Sequence, residues 1–444
     1  MKKSPIPQPQ PRSPVGYLNL VKDNPNFRSM WLGQIVSLFG DWFNLIASAA
    51  LISQLTQSGL AIGGLFVVRM LAPFLISPLA GVAADRYNRK HLLILADLTR
   101  AGVVLGFLFV RRPQDAWMLY TLTAIQLAIS GVFFPTRNAI LPDIVSRGEL
   151  GAANALSSAT WSVMLSIGAA LGGLVAGKWG IYPAFVIDSL TFLISALFIS
   201  RIRYIRPPAL EEAEKTVKAG LRQYVDGLRY LARYRDILAI ALHKGAIALA
   251  TNGAFQVIQV ALSERIYVIG EGGGTSLGIF YTVTGIGTGI GPILARRFTG
   301  DNDRTLRIAL ALSYGITMIG LVIAAPLAGF GLVLVGSAVR AVGGGMNWVF
   351  STQLLLQHLP DKVRGRVFSS EFAMFTLANA AGAALAGWAL DNTSLKISGM
   401  LWWMAGLTLI PGVLWIMWLV GGTRHTPPLE QTTAPEPEVV GAED

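Results

Sequence analysis

The sequence contains no cysteine and only four histidines in 444 residues. The first absence removes disulfides, thiolate metal sites and a cysteine nucleophile. The second, with no H-E-x-x-H or comparable cluster, leaves no expected metal and no cofactor. Charge is scarce as well: 14% of residues are charged and 53% hydrophobic, where soluble domains carry roughly 25% charge. Mean hydropathy is +0.53. A chain this apolar takes the bilayer as its solvent. Gly172 to Trp179 comes near a phosphate loop but puts Trp179 where Ser or Thr must hold magnesium. Gly285 to Gly291 has the glycines of a dinucleotide loop without the preceding strand. Neither a nucleotide nor an enzyme activity is therefore expected.

What is present is hydrophobic length. About 20 apolar residues cross the hydrocarbon core, and such stretches fall near 29–55, 60–80, 91–110, 116–135, 152–177, 182–200, 238–262, 275–295, 308–325, 330–356, 367–390 and 397–420. The expected fold is an all-α membrane protein of about twelve transmembrane helices in two six-helix bundles, 29–200 and 238–420. Residues 1–28 and 421–444, polar and Pro-rich, are expected to be disordered, and 201–237 to link the bundles. The net charge of +11 reads as orientation rather than as affinity for nucleic acid. With the N-terminus inside, 27 of the 36 Lys and Arg fall in inside segments and five (Arg111, Arg112, Lys178, Arg265 and Lys396) in outside loops. The positive-inside rule then makes both termini cytoplasmic.

Within the linker, Leu221, Val225, Leu228, Leu231 and Ala232 share one helical face and Arg222, Asp226, Arg229, Arg233 and Arg235 the other. That pattern predicts an amphipathic helix on the inner leaflet. An internal duplication is also legible. Leu141-Pro142-Asp143 returns as Leu359-Pro360-Asp361, and Gly168-Ala169-Ala170-Leu171 as Gly382-Ala383-Ala384-Leu385, each pair at corresponding span positions. Duplicated halves that rock about a central site are a common transporter plan.

Between the second and third spans, Gly81, Asp85, Arg86, Arg89 and Lys90 stand in a Gly-x3-Asp-Arg-x2-Arg-Lys frame. Gly81 permits close helix approach, Asp85 can take a cation from a neighbouring helix, and the three basic residues hold the loop in the headgroup zone. This frame is similar to the cytoplasmic gate motif of the major facilitator superfamily. Gly40-Asp41, Asp97-x2-Arg100, the stretches Pro135 to Pro142 and Ala153 to Leu156, and Arg364 to Ser369 resemble one branch of it, the exporters related to the enterobactin exporter and the macrolide efflux pumps. The resemblance spans residues 29–420. It implies a multi-pass protein of a prokaryotic plasma (inner) membrane, a monomer that moves a small molecule by alternating access. It implies antiport less directly, because Ala169 stands where antiporters of the superfamily often have proline after Gly168.

Charges inside spans are costly, roughly 2.5–3.5 kcal/mol each on insertion scales. At about 1.5 Å per residue, Asp41 and Arg69 come to similar depth in the first helical hairpin and are expected to pair. The pair is either a proton site or a permanent structural tie. Asp97 and Arg100 lie shallower, expected to tie to the Asp85 loop; Lys244 and Glu371 are close enough to the inner face to snorkel. Gln34, Asn44, Gln126, Asn252, Gln256, Arg340 and Asn347 are cavity candidates, since polar groups avoid lipid, with Arg340 suited to an anionic group. The functional expectation is proton-coupled export of a small amphipathic compound, drug-like or siderophore-like. Import, lysolipid flipping, or a non-transporting receptor or assembly factor stay open as alternatives.

Overall fold

The computed structural model describes residues 16–146, 148–204, 217–300 and 302–421. Residues 1–15, 205–216 and 422–444, where most of the disorder and the first part of the linker were expected, lie outside the described residues. Among the described residues there are fifteen α-helices and no strand. In the first half they are α1 (Tyr17–Asp23), α2 (Pro25–Thr56), α3 (Gly59–Arg86), α4 (Arg89–Leu105), α5 (Ala116–Ile144), α6 (Leu150–Trp179) and α7 (Ile181–Ser200). The linker helix is α8 (Val217–Arg233). The second half has α9 (Arg235–Ile247), α10 (Gly253–Arg265), α11 (Gly274–Thr299), α12 (Asp303–Ala324), α13 (Phe330–His358), α14 (Asp361–Asn392) and α15 (Ile397–Val420). A π-helical turn, Ala248–Asn252, joins α9 to α10 within one span.

Twelve of these segments are long and apolar enough to cross a membrane, six in each half. Helices satisfy all backbone polar groups within the segment, which lipid demands. The spans match those read from hydropathy in number and order. Several run further: α5 continues through Pro135 and Pro142 to Ile144. Hydropathy stops at the edge of the hydrocarbon, whereas backbone hydrogen bonding does not. Part of the stretch expected to be disordered is helical, because Leu20 of α1 is fully buried among Phe27, Met30 and Ile144. Asn24 caps α2 and also donates to the Ile144 carbonyl at 2.9 Å, fixing the start of α2 beside the end of α5.

The end of the bundle that bears the start of α2 and the end of α15 is here the terminal end, and the opposite one the distal end. The halves meet toward the distal end. Gly63 of α3 packs so closely on α14 that a Cβ would stand 2.6 Å from the Ala383 carbonyl oxygen, and one on Gly278 of α11 would stand 2.7 Å from the Cα of Gly173 in α6. Small residues let the backbones approach this far. One apolar cluster there draws on both halves, including Phe43, Phe66, Phe255 and Phe280. Nearer the terminal end the core divides. Phe27, Leu93 and Ile140 form a cluster of the first half; Leu306, Phe350 and Trp415 form one of the second. Along the same face burial gives way to exposure: Gly278 and Gly285 of α11 are buried, Gly289 and Arg296 exposed. The result is a wedge, closed at the distal end and open at the terminal end.

The linker helix α8 lies against α14 as well as facing outward. Its Gly227 abuts the Arg366 carbonyl and Ser370, and Leu231 is buried in the second half, while Val225, Leu228 and Ala232 stay exposed. The expected face is thus split, one edge spent on protein and one left for lipid; the side chain of Leu221 lies outside the described residues.

The distal seam carries a polar clasp. Asp391 at the end of α14 accepts from the backbone N–H groups of Gly59 (2.7 Å) and Leu60 (2.8 Å) and from the Ser58 hydroxyl (2.6 Å) at the start of α3. Hydrogen bonds to a charged group contribute roughly 1.5–3 kcal/mol each. Asp391→Ala is expected to shift the closed-to-open ratio at the distal end about tenfold or more. In this cysteine-free chain, labelling of a Thr275→Cys probe by an impermeant thiol reagent measures that shift.

Candidate functional site

The charged residues of the first half converge on α2, α4 and α7. Asp97 and Arg100, one turn apart on α4, form an ion pair. The Arg100 guanidinium is held between the rings of Phe133 (4.4 Å) and Phe192 (4.2 Å) and donates to Ser130 Oγ at 3.2 Å. Aromatic faces on both sides attract the cation and fix its plane. The partners described for this pair lie on α5 and α7, and the side chain of Asp85, to whose loop a tie was expected, lies outside the described residues. Asp41 is half-buried on α2, within electrostatic reach of Arg100 and of Arg69. The direct Asp41–Arg69 ion pair expected from the hairpin does not form among the described residues. The reason is in the packing: α2 lies chiefly on α6 and α7 and only lightly on α3. Arg69 is also within reach of Tyr281 of α11, whose ring lies 5.6 Å from that of Trp42, so the cluster touches the other half at its centre. Asp188 of α7 is fully buried beside Gly40 and Asn44.

The loop motif is partly visible. Arg89 donates to the carbonyls of Ala84 (3.2 Å) and Ala139 (3.0 Å) and pairs with Asp143 at 2.7 Å. It binds the end of α5, where carbonyl groups favour a cation. Arg86 is exposed and Lys90 half-buried. Gly81 and Asp85 belong to α3, and the surroundings of their side chains lie outside the described residues.

In the second half, Arg340 of α13 lies over the Phe255 ring at 3.9 Å and donates to Asn252 Oδ1 at 3.2 Å. Asn252 closes the π-helical turn, a distortion frequent at functional sites, and Gln256 sits one turn on, half-buried. These three form a polar patch. The other cavity candidates are buried between helices. Gln34 donates to the Ser157 carbonyl at 3.2 Å, joining α2 to α6. Asn44, Gln126 and Asn347 are buried, Asn44 beside Asp188 and Asn347 beside Tyr314.

Two ionic arrangements were not foreseen. Lys244 and Glu371 do not snorkel: they pair at 3.0 Å between α9 and α14, both buried, with Lys244 4.5 Å from the Trp348 ring. The facing helices bring a carboxylate to the amine before the headgroups can. Arg307 of α12 makes two hydrogen bonds to Asp236 (2.9 and 2.8 Å) and one to Asp303 (2.9 Å), with His358 3.3 Å from Asp303. Only the four-residue spacing of Asp303 and Arg307 was visible in the sequence.

A family model described as Major Facilitator Superfamily matches residues 30–300. The chain belongs to this superfamily. As a major facilitator it is a multi-pass membrane transporter and not an enzyme. It is 26% identical to the enterobactin exporter EntS of Shigella boydii, over 94% of this chain and 97% of that one. To the macrolide efflux protein A of Streptococcus pyogenes it is 23% identical, over 86% and 93%. Among solved structures, the fold is similar to that of the nucleoside transporter NupG (TM-score 0.69, 11% identity, 88% of this chain and 98% of that one). It is also similar to a bacterial homologue of the iron transporter ferroportin in its inward-facing state (TM-score 0.66, 15% identity, 88% and 98%).

Removing one partner of a buried ion pair leaves an uncompensated charge and costs roughly 3–5 kcal/mol, whereas replacing both with apolar residues is often neutral. Lys244→Met in this transporter is expected to lower the melting temperature in detergent clearly, and Lys244→Met with Glu371→Leu to restore most of it. Equal losses in both variants would show that the pair does not act as a unit.

Proposed function

We propose that this transporter exports a small amphipathic compound across the plasma (inner) membrane of a prokaryote, in exchange for protons, as a monomer working by alternating access. The observation that carries the reading is the placement of a half-buried carboxylate, Asp41, among two guanidinium groups in the first half, at the level where Arg69 approaches Tyr281 of the second. A group whose charge can change there alters the balance of forces across the seam between the halves. The cationic segments, with 27 Lys and Arg against five at the other face, support a cytoplasmic terminal end. The open wedge then faces the cytoplasm, the side from which an exporter loads. The exporter and efflux names of EntS and macrolide efflux protein A support the direction.

Substrate is held across the wedge. Arg340, Asn252 and Gln256 offer donors and acceptors on one wall, while Trp42 and Tyr281 offer aromatic faces near the closed end. A fully desolvated Arg with one side-chain acceptor has donors to spare, which suits an anionic or strongly accepting group on the compound. Protonation of Asp41 from outside and release inside supplies the energy. A membrane potential of about 150 mV gives about 3.5 kcal/mol per proton, enough for more than about a hundredfold gradient of a neutral solute.

Expression in a pump-deficient strain is expected to lower accumulation of some member of a compound panel. Asp41→Asn is expected to reduce that effect about tenfold or more, and to remove pH-driven uptake into inverted vesicles. Full pH-driven transport by Asp41→Asn would show that Asp41 does not carry the proton.

A further inference from the structure

Asp41, Asp97 and Asp188 bring three carboxylates within mutual electrostatic reach, and Arg69 and Arg100 bring two guanidinium groups. Asp97 has Arg100 as a direct partner. Asp41 is only half-buried, so water in the wedge can solvate it. Asp188 has neither kind of relief. It is 0% exposed, no ion pair reaches it among the described residues, and its near polar neighbour is the Asn44 amide. An ionised carboxylate so placed costs several kcal/mol, and a protonated one avoids most of that.

The surroundings form a site rather than a gap. Gly40 of α2 faces Asp188 so closely that any Cβ there would strike its carboxylate and Thr191, so α2 and α7 seal it. Asn44, one turn along α2, lies against it as a side-chain hydrogen-bond partner. The charged groups facing it are Asp41 from α2, Arg69 from α3 and Arg100 from α4.

We propose that Asp188, with Asn44 and Gly40, forms a closed proton-binding site that is filled in the wedge-open state, and that Asp41 is its outlet to the cavity. The proton leaves Asp188 for the Asp41 carboxylate and passes from there to cavity water, so Asp188 becomes ionised. That anion then draws on the Arg69 and Arg100 charges, and this attraction tightens α3 and α4 on α7. The proposal rests on the proton-coupled reading for what the proton does in transport. The binding of the proton itself stands or falls separately.

Infrared spectroscopy of the purified, reconstituted transporter at neutral pH tests it without any substrate. Wild type is expected to show a protonated-carboxyl C=O component that Asp188→Asn loses and Asp41→Asn keeps. Because the amide imitates a neutral carboxyl, Asp188→Asn is also expected to melt at or above the wild-type temperature. A component that is undiminished in Asp188→Asn, or a variant that melts well below wild type or does not fold, would overturn the proposal. Loss of the component in a protein whose transport ignores pH would leave the site standing and remove the proton-coupled reading instead.

Discussion

Lipid cannot solvate a charge, and that constraint arranges much of this structure. Each ionisable side chain within a span has to find its counter-charge, an aromatic face or water inside the protein. Arg100 finds Asp97 and two phenyl rings, Lys244 finds Glu371 and an indole, and Arg307 finds two aspartates. These ties are within halves: α4 to α5 and α7, α9 to α14, α12 to α9 and α13. The halves are stiffened individually, and contact between them runs through glycine-lined backbones, one shared apolar cluster and hydrogen bonds such as those of Asp391 and Arg265. Rigid bodies joined by a seam that opens and closes are what alternating access requires.

The same logic places the two ends of the molecule under different rules. At the terminal end, Arg89 with Asp143 in one half and Arg307 with Asp303 and His358 in the other bind the start of one helix to the end of the next. The repeated Leu-Pro-Asp triplets at 141–143 and 359–361 mark these two places. Each half is finished there without the other. At the distal end neither is.

The fold was legible because hydropathy reports directly on the solvent. Twelve spans in the right order, the duplication and the loop motif all follow from where apolar runs, small residues and cationic segments fall. The pairing of charges was less so. Sequence distance within a hairpin put Asp41 opposite Arg69, but helix neighbours in a bundle are set by packing, and α2 packs on α7. Depth along a helix was readable for Lys244 and Glu371; the direction each faces was not. The π-helical turn that presents Asn252 to Arg340 has no periodic signature, since one extra residue in one turn leaves the hydropathy unchanged.

The apolar cluster that both halves share has a bearing on how the molecule is made. Phe43 and Phe66 are synthesised well before Phe255 and Phe280, the residues that complete their surroundings. A newly inserted first half already owns its terminal-end core and its ion pairs, but carries an unfinished flank on α3 and α6, lined with bare glycine backbone. Lipid or an insertion chaperone has to cover that flank until α11 and α14 emerge. The halves are independent as levers, then, but not as products of the ribosome.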